Sequence, residues 1–482
     1  MKTLFARLNV LVFTVFLLYP YYSLLGQDHK YIGIWEGKLL TQSGDVRVVF
    51  NITEEMGKFI ITFDIPDRSV TKIPVSIITM EDDLFQFEIP LIKGYYEGVF
   101  DNEINQLNGT WHQNERSLPL ILSKIEVSEK PKRPQTPKPP FPYKEVEVSY
   151  ENKNAGIILS GTLTIPENNK PFPAVILITG SGPQDRDETV FGHKPFWVIA
   201  DYLTRRGIAV LRVDDRGIGG STGDFSEATT LDFSEDVLSG VNFLLSRNDI
   251  DKTKIGLIGH SEGGLIAPMV AASSNNIAFI IMLASPALSG DEILLLQAEL
   301  IAKTHSIPEN IIIKSIGLNR MLYDVVKIST DVSDMKVRLR ETITVFISHL
   351  NEEEKKIQMF SEEYLLSQIK ILTSPWLSFF LKHDPKPFLE NISCPVLAIY
   401  GEKDIQVPPK ENIIALEEIN YNSRAQNQYI KILEIDGVNH LFQRAETGSP
   451  DEYGLIEETF SQDVLRIMGD WITETIITSK DY

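Results

Sequence analysis

Apolar and polar positions follow two rhythms along this chain, and the change comes near residue 143. From about 28 to 127, runs such as Val46–Phe50 and Lys58–Phe63 have the two-residue period and β-branched content of half-buried strands. Glycines from Gly33 to Gly109 punctuate them, and no helical pattern of useful length intervenes. The block predicts a small all-β unit of six to eight strands, a barrel or a sandwich. Trp35, Tyr95, Tyr96 and Trp111 read as its core, with a ligand cavity as the alternative.

Residues 128–142 are rich in proline and lysine and predict an extended, stiff spacer, because proline fixes φ and withdraws a donor. From 143 to 482 uniformly apolar runs alternate with amphipathic helices. Ala174–Thr179, Ile208–Val213, Ile255–Ile258, Phe279–Leu283 and Val396–Tyr400 suit central parallel strands covered on both faces. Helical patterns such as Trp197–Arg206 and Phe233–Ser246 stand between them, which predicts an open, mostly parallel α/β sheet. A helical stretch from about 287 to 390 interrupts the rhythm and reads as a cap inserted over the sheet.

The N-terminus has its own logic. Lys2 and Arg7, the apolar run Leu8–Leu18 and the small residue Gly26 predict a secretory signal peptide over 1–26, hence export, with an uncleaved membrane anchor as the alternative. The run is short for a bilayer, so no membrane span is expected after its removal. A net charge of −20 argues against nucleic acid as a partner, since phosphate recognition needs a basic surface. Cys394 is the only cysteine and reads as a core thiol at a strand start. No His-Glu-x-x-His or Cys-x-x-Cys pair occurs, so no metal site is expected.

The candidate chemistry centres on Gly259-His260-Ser261-Glu262-Gly263. Lys254–Gly259 reads as a strand running straight into this segment, and Leu265–Ala272 as the helix after it. A serine on a strand-to-helix elbow has a strained backbone that lifts Oγ clear of the sheet edge, with small residues needed on both sides. Gly-x-Ser-x-Gly alone is a weak pattern; its setting makes Ser261 the candidate nucleophile. A serine hydroxyl needs a base, and the base an orienting acid, which follow it in the order acid, then His. Asp404, in the loop after Val396–Tyr400, is the expected acid, with Glu402 and Asp436 as competitors. His440, after the strand-like run Tyr429–Ile435, is the expected base; His193 and His383 are the other histidines able to approach. His260 is expected to pack or bond locally. Two backbone donors are needed for an oxyanion. The N–H of Glu262 is one, and Ser181, in the loop Gly180-Ser181-Gly182, is taken as the other. The Glu262 carboxylate is expected to point away into a structural ion pair.

The segment Gly259–Gly264, with Thr179-Gly-Ser-Gly-Pro-Gln-Asp-Arg-Asp187 and Asp215-Arg-Gly-Ile-Gly-Gly-Ser221, resembles bacterial α/β-hydrolases of the serine aminopeptidase-like (S33-type) group. Within that group it is similar to the carboxylesterase branch with a Ser-Gly-Pro-x-Asp-Arg-Asp loop. The likeness runs through Cys394–Leu397 to Gly401–Asp404 and Asn439-His440, and covers nearly all of 143–482 outside the middle of the cap. Residues 28–127 resemble the β-rich module that precedes the hydrolase in some secreted members. The resemblance implies an α/β-hydrolase fold and carboxylesterase activity on small esters of short acyl chains. It also implies a Ser261–Asp404–His440 triad and no cofactor. An aminopeptidase or amidase with the same triad is the alternative within enzymes, and a secreted binding protein the alternative outside them. Asp185, Arg186, Asp187 and Arg216 match the family pattern and are expected to brace loops as ion pairs.

Overall fold

The computed structural model describes residues 31–125 apart from 42–43, 56–57, 67–69, 82, 102–103 and 114–115. It also describes 132–477 apart from 168–169, 306 and 424–429. The expected signal peptide, 1–26, lies outside the described residues. Two compact units meet in sequence between Lys132 and Arg133.

Among the described residues the first unit is an antiparallel sheet of nine strands, more than the six to eight expected. They are β1 (Gly33–Thr41), β2 (Gly44–Glu55), β3 (Lys58–Ile65), β4 (Val70–Pro74), β5 (Ser76–Glu81), β6 (Leu84–Ile89), β7 (Gly94–Asp101), β8 (Gln106–Gln113) and β9 (Arg116–Ile125). The extra strand comes from β4 and β5, separated only by Val75 with no glycine to mark the break. Their order is β4-β3-β2-β1-β9-β8-β7-β6-β5. The two strands at the ends of that order follow one another in the chain, so the sheet curls into a nearly closed barrel. Its interior is filled: Trp35, Phe50, Phe63, Phe85, Phe87 and Tyr96 are fully buried, and Trp111 stacks on Phe63 with ring centroids 5.3 Å apart. Tyr95, by contrast, is half-buried and bonds Glu97.

The second unit is built on eight strands: β10 (Tyr143–Asn152), β11 (Ile157–Pro166), β12 (Phe172–Ile178), β13 (Ala209–Val213), β14 (Ile250–His260), β15 (Phe279–Leu283), β16 (Val396–Gly401) and β17 (Ile430–Ile435). Their order is β10-β11-β13-β12-β14-β15-β16-β17; β11 is antiparallel to both its neighbours, β10 and β13, and the other adjacent pairs are parallel. Among the described residues eleven α-helices accompany them: α1 (Pro195–Arg205), α2 (Thr230–Ser246), α3 (Glu262–Ser273), α4 (Gly290–Thr304), α5 (Glu309–Ile328), α6 (Val332–Ser348), α7 (Glu362–Leu372), α8 (Pro375–Phe380), α9 (Lys386–Leu389), α10 (Pro409–Ser423) and α11 (Gln462–Ile472).

Uniformly apolar strands have a direct cause here. Ile176 and Ile178 belong to one buried core with Leu244 of α2 and Leu265 of α3, while Val175 and Leu177 belong to another with Ile199 of α1 and Leu465 of α11. Both faces are covered, so no position on β12 alternates to water. Helices α4 to α9 form the insertion between β15 and β16, with a small core of their own around Leu318, Leu339 and Ile369. The proline-rich stretch is not free over its whole length. Arg133 donates to the carbonyls of Phe191, Gly454 and Ile456, and Gln135 bonds both the N–H and the carbonyl of Phe460. Composition predicts an extended chain there, but not where its side chains dock.

Candidate active site

Strand β14 ends at His260, and α3 begins at Glu262. Ser261 joins them with φ 53° and ψ −117°, a conformation L-residues rarely adopt. It is held from both sides: its N–H donates to Leu283 at 2.8 Å, and its carbonyl accepts from Gly264 at 2.9 Å. The tight elbow explains the flanking glycines. A Cβ at Gly259 would strike the Gly263 carbonyl, and one at Gly263 the Ile178 carbonyl. The neighbouring loop also comes close, because a Cβ at Gly180 would lie 3.2 Å from Ser261 Cβ.

Asp404 and His440 lie in the loops after β16 and β17. Parallel pairing of those strands brings the two loops to one edge, and Nδ1 of His440 stands 2.7 Å from Oδ2 of Asp404. Both side chains are buried. The other Asp404 oxygen accepts the N–H groups of Gln406 and Val407 at 2.8 and 2.9 Å, which fixes the carboxylate plane. With the carboxylate on Nδ1, that nitrogen carries the proton and Nε2 is left to act as a base.

The competing residues are occupied elsewhere. Glu402 is exposed and accepts from the Gly437 N–H, and Asp436 is exposed. His193 bonds Thr459 and the Tyr453 carbonyl, and burial pushes its pKa down to about 4. His383 is stacked between Phe379 and Phe388. His260 bonds residues distant in sequence, standing 2.9 Å through Nε2 from the carbonyl of His440 and 2.9 Å through Nδ1 from the Glu188 carboxylate.

Ser181 follows Gly180 in the loop facing Ser261. The Gly180 N–H is taken by the Glu188 carboxylate at 2.8 Å. Among the described residues, the N–H groups of Ser181 and Glu262 have no hydrogen-bond acceptor. The expected ion pair of Glu262 is not formed. Its buried carboxyl accepts from the hydroxyl of Thr230 at 2.7 Å and the indole N–H of Trp376 at 2.8 Å, both neutral groups. Burial accordingly raises its pKa. The sequence offers no hint of this, since the partners lie 32 and 114 residues away.

The loop is braced by charge, much as the family pattern suggests. Arg186 pairs with Asp214 at 2.8 Å and Glu147 at 2.5 Å, Asp187 with Arg212 and Lys194, and Arg216 with Asp236 through two contacts of 2.7 and 2.9 Å. Asp185 departs from expectation by bonding its own loop's N–H groups at Asp187 and Thr189. Two bracing residues escaped sequence reasoning, Glu188 and Asp215. Asp215 accepts from Thr179 Oγ1 and Gln184 N–H, and burial pushes its pKa up to about 8. Asp215 opens one of the quoted motifs and Glu188 directly follows another, the one signal that pointed to them. Among the described residues no group of three His, Cys, Asp or Glu side chains is arranged to hold a metal ion, and no helix is long and apolar enough to cross a membrane.

Residues 196–440, just over half of the chain, match the model of the serine aminopeptidase S33 family. The chain belongs to that family. This S33 hydrolase is 28% identical over 327 residues to the esterase EstD of Thermotoga maritima, covering 66% of this chain and 68% of EstD. Among solved structures it is similar to DcsB, determined in complex with a substrate analogue, at 20% identity and a TM-score of 0.43 over 69% of this chain and 99% of DcsB. The α/β hydrolase GrgF from Penicillium sp. sh18 aligns at 16% identity and a TM-score of 0.42, over 70% and 100% of the two chains.

Proposed function

We propose that this S33 hydrolase is a serine carboxylesterase that cleaves small esters of short acyl chains through an acyl-enzyme on Ser261. The observation that carries the reading is the 2.7 Å hydrogen bond between His440 Nδ1 and Asp404. It leaves Nε2 of His440 as the base in an arrangement whose serine sits on a strained elbow. His440 takes the Ser261 proton as Oγ attacks the ester carbonyl, and Asp404 stabilises the resulting imidazolium. The N–H groups of Ser181 and Glu262 receive the oxyanion, which is why their lack of acceptors among the described residues supports the reading. His440 then protonates the leaving alcohol, and water activated by the same imidazole releases the acid.

The likeness to EstD favours an ester over a peptide. So does Glu262, whose carboxyl is already satisfied by neutral donors and is raised in pKa, a poor receptor for a substrate ammonium. The deciding experiment is Ser261→Ala assayed with p-nitrophenyl acetate and with aminoacyl p-nitroanilides. Ester turnover should fall by about 10⁴-fold or more. Undiminished ester hydrolysis would remove Ser261 from the mechanism, and wild-type preference for the anilides would replace esterase by aminopeptidase.

A further inference from the structure

Two buried side chains beside Ser261 have no part in the reaction drawn above. Glu188 belongs to the loop after β12, and His260 is the last residue of β14. Oε1 of Glu188 accepts the Gly180 N–H at 2.8 Å and stands 2.9 Å from Nδ1 of His260. The second ring nitrogen, Nε2, stands 2.9 Å from the carbonyl oxygen of His440. A carboxylate and a carbonyl only accept, so both ring nitrogens face acceptors, an arrangement that favours the protonated ring. Burial by itself pushes the His260 pKa down, but the adjacent Glu188 carboxylate, together with the His440 carbonyl and the Asp404 charge, outweighs it and leaves the value raised. Glu188 is also held at φ 52°, a conformation glutamate seldom adopts.

A buried ion pair adds little to stability by itself, because desolvation offsets most of the attraction. What this pair connects is more informative. Gly180 immediately precedes Ser181, His440 carries the base, and His260 immediately precedes Ser261. The loop after β12 and the loop after β17 reach the site from opposite sides of β14. Glu188 and His260 join their backbones next to Ser261, and His193 joins the same two loops through Thr459 and the Tyr453 carbonyl. Resting on the serine-hydrolase reading, we propose that Glu188 and His260 form a positioning pair that sets the oxyanion loop and the His440 loop in register across Ser261. Neither side chain touches the reacting atoms; each acts through backbone it holds.

The test is kcat per active serine on p-nitrophenyl acetate, with active serines counted by stoichiometric labelling with a fluorophosphonate. Counting active sites separates positioning from a simple loss of folded protein. Glu188→Ala should lower kcat per labelled serine by about 100-fold, the scale of an ångström of misplacement. KM should change less than about threefold, since little ground-state binding is lost. Glu188→Gln should recover most of the rate, because its amide oxygen still accepts from Gly180 and His260. His260→Gln should be slow as well, having one donor nitrogen for two acceptors. The double variant Glu188→Ala/His260→Gln should be no slower than the slower single one, as expected of residues acting as a unit. Full kcat per labelled serine in Glu188→Ala and His260→Gln, with only Tm lowered, would overturn the proposal. Should Glu188→Ala fail to fold, His260→Gln decides alone by the same criterion. A wild-type chain that takes no label at Ser261 defeats the serine-hydrolase reading instead, and peptide mapping of the label distinguishes the two failures.

Discussion

The carboxyl of Glu262 accepts the indole N–H of Trp376 at 2.8 Å, tying the first turn of the helix after Ser261 to α8 of the helical insertion. Trp376→Phe keeps the ring and its stacking on Phe380 but removes the donor from a buried acceptor. We expect a loss of about 1 to 3 kcal/mol, read from urea unfolding. An unchanged midpoint would show that this bond does not help hold the insertion.

Asp215 gives a pH prediction. Its folded pKa, about 8, lies above the ordinary carboxylate value, so between those limits the folded state holds a proton that the unfolded chain has released. Stability therefore falls as pH rises through that window. Asp215→Asn mimics the protonated form, with its oxygen accepting from Gln184 and its amide donating to Thr179. The Tm advantage of the variant over wild type should grow from pH 5 to pH 8; a gap independent of pH refutes the account.

Asp404→Asn should preserve the loop, because the amide oxygen can still accept from Gln406 and Val407. The amide nitrogen then faces His440 Nδ1 as a donor and forces the proton to the wrong ring nitrogen. A fall of about 10⁴-fold in kcat is expected, with a near-native circular dichroism spectrum.

Gly263→Ala places a methyl group against the Ile178 carbonyl, where β12 and α3 nearly touch. Backbone on that side cannot swing away as a side chain would. A loss of about 3 kcal/mol or more is expected, measured by thermal melting together with ester turnover.

Much of the α/β unit was legible from pattern. Runs such as Ala174–Thr179 lack alternation because helices cover both faces of β12, and burial on both sides leaves its mark on every residue. The barrel was less legible. Its alternation is clear, but β4 and β5 adjoin through Val75 with no glycine between them, so the expected strand number is too low. At the site, Ser261, Asp404 and His440 were each marked by a strand end, because such loops follow directly from the chain's own rhythm. Glu262 was misread for the opposite reason. Whether a buried carboxyl meets a cation or neutral donors depends on what the fold brings from far away, and here it brings Thr230 and Trp376.

The sequence by itself determined the two-part organisation, the parallel sheet and the elbow at Ser261, all of which rest on neighbours within a dozen residues. Tertiary structure alone decided that Asp404, and neither Glu402 nor Asp436, meets His440. It alone also set His260 between Glu188 and the His440 carbonyl, 72 and 180 residues apart in sequence. Local propensity acts over a few residues, whereas hydrogen-bond partners at a sheet edge are set by strand order, and strand order is a property of the whole packed core.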